Sequence, residues 1–270
     1  MTRLAIIAGQ GHLPLQVARA ADEQGLDVVI FPIVGQADGV FDGFVVQPVR
    51  LGAIGQTQAF LRHHGCRQMV MVGKVVWPSL GALRPDTAGM KLLGKLTKRG
   101  DDTVLRVISQ FFAEHGVQTL PVNMFLEGHM MPSGHVAGPS VDDHGQILIE
   151  IGASILDKLG ACDVGQSVIV QNGRVLAIEA AEGTDQMLKR VIEIRKRNKT
   201  IHENKGVLIK MAKKNQSRLV DLPVLGPKTI EIVSKANLAS IALDPLSTLV
   251  LNKETFLKKA KKESINLFLA

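Results

Sequence analysis

Short apolar runs alternate with stretches of helical period along the first 125 residues. Leu4–Ala8 reads as a buried strand, Pro14–Gln24 as a helix stopped by Gly25, and Asp27–Val34 as a second strand. Ile54–His64 has helical spacing with a stop at Gly65, and Gln68–Gly73 is again apolar and strand-like. Thr87–Leu96 and Thr103–His115 predict helices, the second with Asp102 as N-cap and Gly116 as its stop, and Val117–Val122 predicts the last strand. Strands separated by helices of this length imply a parallel, doubly wound, Rossmann-like sheet.

Residues 127–145 lose the periodicity and hold four Gly, two Pro and three His. They read as a connector, with a domain boundary at 135/136. Apolar residues at helical spacing return over Gln146–Leu159. Ser167–Gln171 and Arg174–Ile178 then flank Asn172-Gly173, a two-residue hairpin turn. Gly183-Thr184-Asp185 opens a helix running to about Asn198. Strands follow at Gly206–Met211, Ala239–Leu243 and Thr248–Leu251, and helices at Thr229–Ala236 and Glu254–Glu263. The expected architecture is thus α/β, residues 1–135 Rossmann-like and residues 136–270 α+β.

Composition narrows the class. With 270 residues and 46% hydrophobic content the chain can bury two cores, which excludes disorder. No apolar run approaches the ~20 residues of a membrane span, and the N-terminus lacks a secretory apolar core, so a cytoplasmic protein is expected. Two cysteines, Cys66 and Cys162, make no disulfide framework. The net charge of +7 is localised: residues 189–214 carry ten Lys/Arg against Glu193 and Glu203. Such a belt suits an anionic partner or a plain solvated helix face. With one Trp, nine Phe and no Tyr, nucleic acid is not the expected partner.

Candidate chemistry falls in five places. Gly9-Gln10-Gly11-His12-Leu13-Pro14 follows the first strand and opens a helix, where glycines admit a phosphate to the backbone or simply make a tight turn. Pro14 stands at the third glycine position of the dinucleotide pattern and the second strand ends without a ribose-binding acid, which weakens NAD. Lys74 follows an apolar strand, at a ligand-facing edge or on the plain surface. Asp101 and Asp102 are oxygen ligands for Mg²⁺ or helix-start residues. Glu179, Glu182 and Asp185 cluster around Gly183-Thr184, and capping explains only part of that group. Lys210, Arg218 and Asp221 mix one acid with bases, as a phosphate site or an ion pair would. The histidines match no zinc spacing, and no serine-hydrolase elbow occurs.

Several blocks in order, Ile6–Pro14, Gly73-Lys74-Val75, Gly100-Asp101-Asp102 through Arg106, Asp163–Val168, Val175–Ala180 with Glu182-Gly183-Thr184-Asp185, and Asp221-Leu222-Pro223 with Gly226-Pro227, together resemble the LpxI-type UDP-2,3-diacylglucosamine pyrophosphatases. The resemblance implies a hydrolase of lipid A biosynthesis in a Gram-negative bacterium, dependent on Mg²⁺ (or Mn²⁺) and peripheral to the inner membrane on its cytoplasmic side. It would convert UDP-2,3-diacylglucosamine to UMP and 2,3-diacylglucosamine 1-phosphate (lipid X), with water attacking the α-phosphorus. It further implies a ligand cleft between two domains and allows a homodimer. On that basis Asp221 and Asp185 are the expected catalytic residues. Gly9, Gly11, His12, Lys74, Asn172, Thr184 and Lys210 are the expected substrate contacts, and Asp221, Asp185, Glu182, Asp101 and Asp102 the expected metal ligands. Ser217 stands where the family tends to carry a further acid. The rival classes are a nucleotide-dependent oxidoreductase and a non-enzymatic polyanion-binding module.

Overall fold

A computed structural model describes residues 3–76, 83–95, 101–126, 131, 133–140, 142–162, 164–197, 205–212, 224–244 and 248–269, with the side chains of 101–103 excluded. These residues divide into two compact units, one up to Leu126 and one after it.

In the first unit, β1 (Arg3–Ala8), β2 (Asp27–Pro32), β3 (Val45–Val46), β4 (Cys66–Val72) and β5 (Gln118–Thr119) form one sheet in the order β3-β2-β1-β4-β5. Every pairing in it is parallel. The helices α1 (Leu13–Glu23), α2 (Ile54–His63), α3 (Thr87–Lys95) and α4 (Asp101–Glu114) supply its crossovers. The doubly wound expectation holds. The central strands are apolar throughout because helices cover a parallel sheet on both faces; Leu4, Ile6, Val29, Phe31, Met69 and Val70 are fully buried. Two details differ from the sequence reading. Strand β5 has two residues, because Pro121 has no N–H for the ladder and a 3₁₀ turn follows at Val122–Met124. Helix α4 begins at Asp101, so Asp102 lies in its first turn rather than at its cap.

The second unit is built on β6 (Gly134–Ala137), β7 (Ser167–Gln171), β8 (Arg174–Ile178), β9 (Gly206–Lys210), β11 (Leu238–Leu243) and β13 (Asn266–Leu269), in the order β6-β13-β11-β9-β7-β8. The short strands β10 (Val224–Leu225) and β12 (Leu249–Val250) pair separately. Strands β9, β11 and β13 are parallel, while β7 runs antiparallel to both β8 and β9, and β6 antiparallel to β13. Helix α5 (Asp143–Gly160) packs one face through Leu148, Ile149 and Leu156 against Val168, Val170 and Ile209. The other face carries α6 (Thr184–Arg197), α7 (Pro227–Lys235) and α8 (Lys253–Lys262), which bury Met187, Leu188, Val191, Ile230, Val233 and Phe256. Asn172 (φ 51°) and Gly173 (φ 71°) make the hairpin turn expected of them. The connector over 127–145 is more structured than its composition suggests. It contains β6, and α5 already starts at Asp143 because the Asp142 carboxylate accepts the Gly145 N–H at 2.7 Å.

Both cysteines are free, and burial pushes the Cys66 thiol up to about 11. No helix among the described residues is long and apolar enough to cross a membrane.

The end of β1 and the end of β4 touch backbone to backbone. A Cβ on Gly9 would lie 2.6 Å from the Lys74 carbonyl oxygen, and one on Gly73 (φ 99°) would lie 2.8 Å from the Gly9 carbonyl carbon. Around Gly11 (φ 94°) a Cβ would meet nothing within 4 Å. Gly73→Ala is therefore expected to destabilise the protein by more than about 3 kcal/mol, through both strain and overlap. Gly11→Ala should cost about 1 kcal/mol, from its φ alone. Denaturant melts of the two variants read the difference, and equal losses would contradict this account of the contact.

Candidate functional site

Two groups of expected site residues occupy carboxyl edges of sheets, one in each unit. In the first unit, Gly9, Gly11, His12 and Lys74 come together. Gln10 and Lys74 form a backbone bridge, with Gln10 N–H donating to Lys74 O at 2.8 Å and Lys74 N–H returning to Gln10 O at 3.1 Å. His12 is the N-cap of α1 but makes no side-chain cap. The residue that the sequence reading missed is Asp38, whose carboxylate accepts the Gly11 N–H at 2.7 Å. Close by, the Gln36 amide donates to Val76 O (3.0 Å) and accepts from Val76 N–H (2.9 Å). The loop after β2 thus ties the loops after β1 and β4 together. No strand pattern could reveal Asp38, because it lies in a loop and acts on a backbone atom remote in sequence. Val34, Val40, Val76 and Met124, all half or more exposed, stand on loops leaving this same edge.

In the second unit, a buried polar network joins four backbone segments. The Lys210 Nζ, at the end of β9, donates to Thr184 Oγ1 at 2.7 Å and to Ser167 Oγ at 3.4 Å, and lies 3.9 Å from Glu179 Oε2. Thr184 Oγ1 donates to Glu179 Oε2 at 3.1 Å and is 3.2 Å from Ser167 Oγ. The side chains of Lys210 and Glu179 are only 6% and 12% exposed, so each charge compensates the other away from water. Strand β7 begins at this edge, β8 and β9 end at it and α6 starts there, which is why four remote positions meet. Ser167 carries only a weak signal in the sequence, a hydroxyl ahead of three apolar strand residues. Gly165 (φ 49°) holds the corner closed, since a Cβ there would lie 2.0 Å from the Glu179 carbonyl oxygen.

The acids around this corner have distinct surroundings. Glu182 receives a hydrogen bond from Arg190 at 2.6 Å and another from Ala180 N–H at 3.1 Å. Its pKa is held below the ordinary glutamate value, by hydrogen bonding to its own backbone amide first and by Arg190 second. Arg190 also donates to Ile178 O at 2.9 Å, closing the turn between β8 and α6. Asp185 sits in the first turn of α6, half-buried. Asn172 is not part of this group: it lies at the far end of β7, roughly 16 Å along the strand from Ser167. Asp221, Arg218 and Ser217, and the side chains of Asp101 and Asp102, lie outside the described residues. Asp221 falls in the segment between Ala212, just past β9, and Val224, where β10 begins. Among the described residues no group of three or more His, Cys, Asp or Glu could hold a metal ion. With Glu182 engaged by Arg190 and Glu179 by Lys210, the described acids do not by themselves fit a divalent cation.

The basic belt read over residues 189–214 is not one surface feature. Arg195 is 1% exposed and donates to Gln171 Oε1 at 2.6 Å, with its pKa drawn down by burial, and Lys210 belongs to the buried network. The sequence reading missed this because α6 turns Arg195 toward the end of β7.

Two outcomes test this geometry. Thr184→Val removes the oxygen shared by Lys210, Glu179 and Ser167 and should lower stability by about 1–3 kcal/mol, whereas Thr184→Ser should retain most of it. Thermal unfolding separates the pair. The Glu182–Arg190 contribution is full at neutral pH and fades as pH falls through the lowered Glu182 value, since a depressed carboxylate binds its proton more readily when unfolded. Unfolding curves of Glu182→Gln should therefore be flatter below the ordinary glutamate range than those of the parent; parallel curves would remove the role assigned to this pair.

Comparison with known proteins covers the chain end to end. The family model described as the LpxI N-terminal domain matches residues 3–129, and that of the LpxI C-terminal domain matches residues 132–268. The UDP-2,3-diacylglucosamine pyrophosphatase LpxI of Caulobacter vibrioides is 31% identical over 272 residues, spanning 99% of this chain and 96% of the relative. A solved GalE-like L-threonine dehydrogenase from Cupriavidus necator aligns with 53% of this chain and 44% of its own. Its 14% identity and TM-score of 0.28 are too low to bear on fold or function.

Proposed function

The chain belongs to the LpxI family, and from that premise we propose that it hydrolyses the pyrophosphate bond of UDP-2,3-diacylglucosamine. Water attacks the α-phosphorus, and the products are UMP and 2,3-diacylglucosamine 1-phosphate. The observation that carries this reading is the match of both family domains over nearly the whole chain, with a relative of that named activity equally long.

The chemistry of the two edges supports it. A pyrophosphate diester carries two negative charges that repel a nucleophile, so its cleavage by water calls for positive charge at the phosphates and an oriented water. The first turn of α6, which begins at Thr184 beside the Lys210–Glu179 pair, brings the positive end of a helix dipole to the carboxyl edge of the second sheet. Asp221 is assigned to orient the water, on the connection that leaves that edge. At the first sheet the Gly9, Gln10 and Gly11 amides are already engaged, by Val72, Lys74 and Asp38, so the groups assigned to the substrate there are the exposed Lys74 and the apolar Val34, Val40 and Val76. An oxidoreductase gains nothing here, because Asp38 already occupies the Gly11 N–H that a dinucleotide phosphate would take.

Dependence on Mg²⁺ or Mn²⁺ is part of the proposal and rests on the family resemblance. Of the acids that the resemblance names for such an ion, Asp221 and the side chains of Asp101 and Asp102 lie outside the described residues. The substrate's two acyl chains partition into a bilayer, so peripheral association with the cytoplasmic face of the inner membrane belongs to the same reading.

Incubation of the purified chain with detergent-dispersed UDP-2,3-diacylglucosamine, followed by mass analysis, tests the activity. UMP and the sugar 1-phosphate should appear, EDTA should abolish them, and Mg²⁺ should restore them. Asp221→Ala should lower kcat by orders of magnitude with little change in KM. An intact substrate after prolonged incubation with Mg²⁺ would sink the assignment.

A further inference from the structure

Charge in the second unit is segregated by face. Helix α6 carries a formal +3, α7 +1 and α8 +4, so three packed helices hold +8 while the whole chain holds +7. Helix α5, on the opposite face of the same sheet, carries −2. Apart from buried Arg195, the basic residues of the layer face outward. Lys258, Lys196 and Arg190 are paired with Glu254, Glu193 and Glu182, and Lys259 with Glu231. Among the described residues, Lys189, Arg197, Lys228, Lys235, Lys261 and Lys262 form no salt bridge, and of these Arg197 acts on Glu193 and Lys228 and Lys235 act on Glu231 only at longer range.

Helix dipoles do not account for this excess. Basic residues do crowd the last turns, at Arg197, Lys235, Lys261 and Lys262. Three helix C-termini supply only about half a negative charge each, and the field is confined to the final turn. Nor does the patch serve the reacting phosphates. Helices α7 and α8 follow parallel strands, so their C-termini lie at the amino edge of the sheet, away from Lys210.

We propose that the outer face of the α6–α7–α8 layer docks the protein on an anionic lipid bilayer, held by lysine charge and without insertion of side chains. This rests on the membrane-peripheral reading above and adds to it the contact face and the manner of binding. Charge complementarity selects the partner. Lysine ammonium groups are hydrated point charges suited to a diffuse layer of headgroups, and among the arginines of the layer only Arg197 is both exposed and outside a salt bridge. None of the large exposed hydrophobic side chains among the described residues lies on α6, α7 or α8, so nothing there enters the acyl region. A polynucleotide fits less well, since this layer's one aromatic residue, Phe256, is fully buried and offers no stacking surface.

Each basic residue near an anionic membrane changes partitioning by about fivefold, and the effect decays within a Debye length. The full chain is co-sedimented with vesicles of phosphatidylcholine alone or with added phosphatidylglycerol, at low and high salt. The parent should bind only the anionic vesicles and only at low salt. The combined change Lys228→Glu, Lys235→Glu, Lys261→Glu and Lys262→Glu should weaken binding by more than about a hundredfold. Reversing Arg19, Arg50, Arg62 and Arg67 of the first unit to Glu removes equal charge and should largely preserve it. Equal loss in both variants, binding indifferent to anionic lipid, or tighter binding to single-stranded DNA than to vesicles each overturns the proposal. Hydrolysis of detergent-dispersed substrate, measured on the same preparations, separates the two readings. Hydrolysis without vesicle binding defeats the docking face alone, and binding without hydrolysis defeats the proposed activity alone.

Discussion

A lysine ammonium group buried at the end of a strand has to find compensation within the protein, and in the second unit that requirement organises the corner where four segments meet. Lys210 is satisfied by Thr184, Ser167 and Glu179, each brought by a different element. Removing Glu179 takes away the carboxylate that faces the buried ammonium group, the costliest loss in the network. The network therefore locks the start of β7, the exit of β8 and the first turn of α6 against β9. The local backbone is shaped to permit it: Gly165 lies so close to the Glu179 carbonyl that no side chain fits.

The first unit solves a different problem at its carboxyl edge. Its parallel sheet places the loops after β1 and β4 side by side, where open α/β sheets usually leave a crevice. Here Gly9 and Gly73 bring the two backbones into contact, and the Gln10–Lys74 bridge seals them. The loop after β2 adds Asp38 and Gln36 as side-chain clamps from the flank. The glycines that resemble a phosphate-binding turn thus have two separate tasks. Gly9 permits close backbone packing, and Gly11 supplies a positive φ in open space.

Charge distribution follows from the packing of helices on the second sheet. Among the described residues one face takes three helices and the other takes one, and the three helices carry +8 where the single helix carries −2. Proximity in sequence is a poor guide to this, because α6, α7 and α8 are separated by strands and become neighbours only when they cover the same sheet face. Conversely, Arg195 and Lys210 lie within a basic run and end up inside the protein.

Much of the architecture was legible in the residues themselves. Apolar periodicity located the central strands and most of the helices, and the Asn172-Gly173 turn declared the hairpin, because local sterics and the burial of one face act over a few residues. The motif blocks carried the family, since they are read position by position. What escaped was whatever depends on partners distant in the chain. Strand β6 forms because β13 offers an edge, not because Gly134–Ala137 has strand character. Asp38 matters through a backbone amide in another loop, and Ser167 through a lysine from another strand. Glu182 resembled a free acid until Arg190 came round the first turns of α6 to meet it. Local propensity is additive along the sequence and can be read from it; the partner that satisfies a buried charge or an orphan amide is chosen only when the chain has folded and water has been excluded.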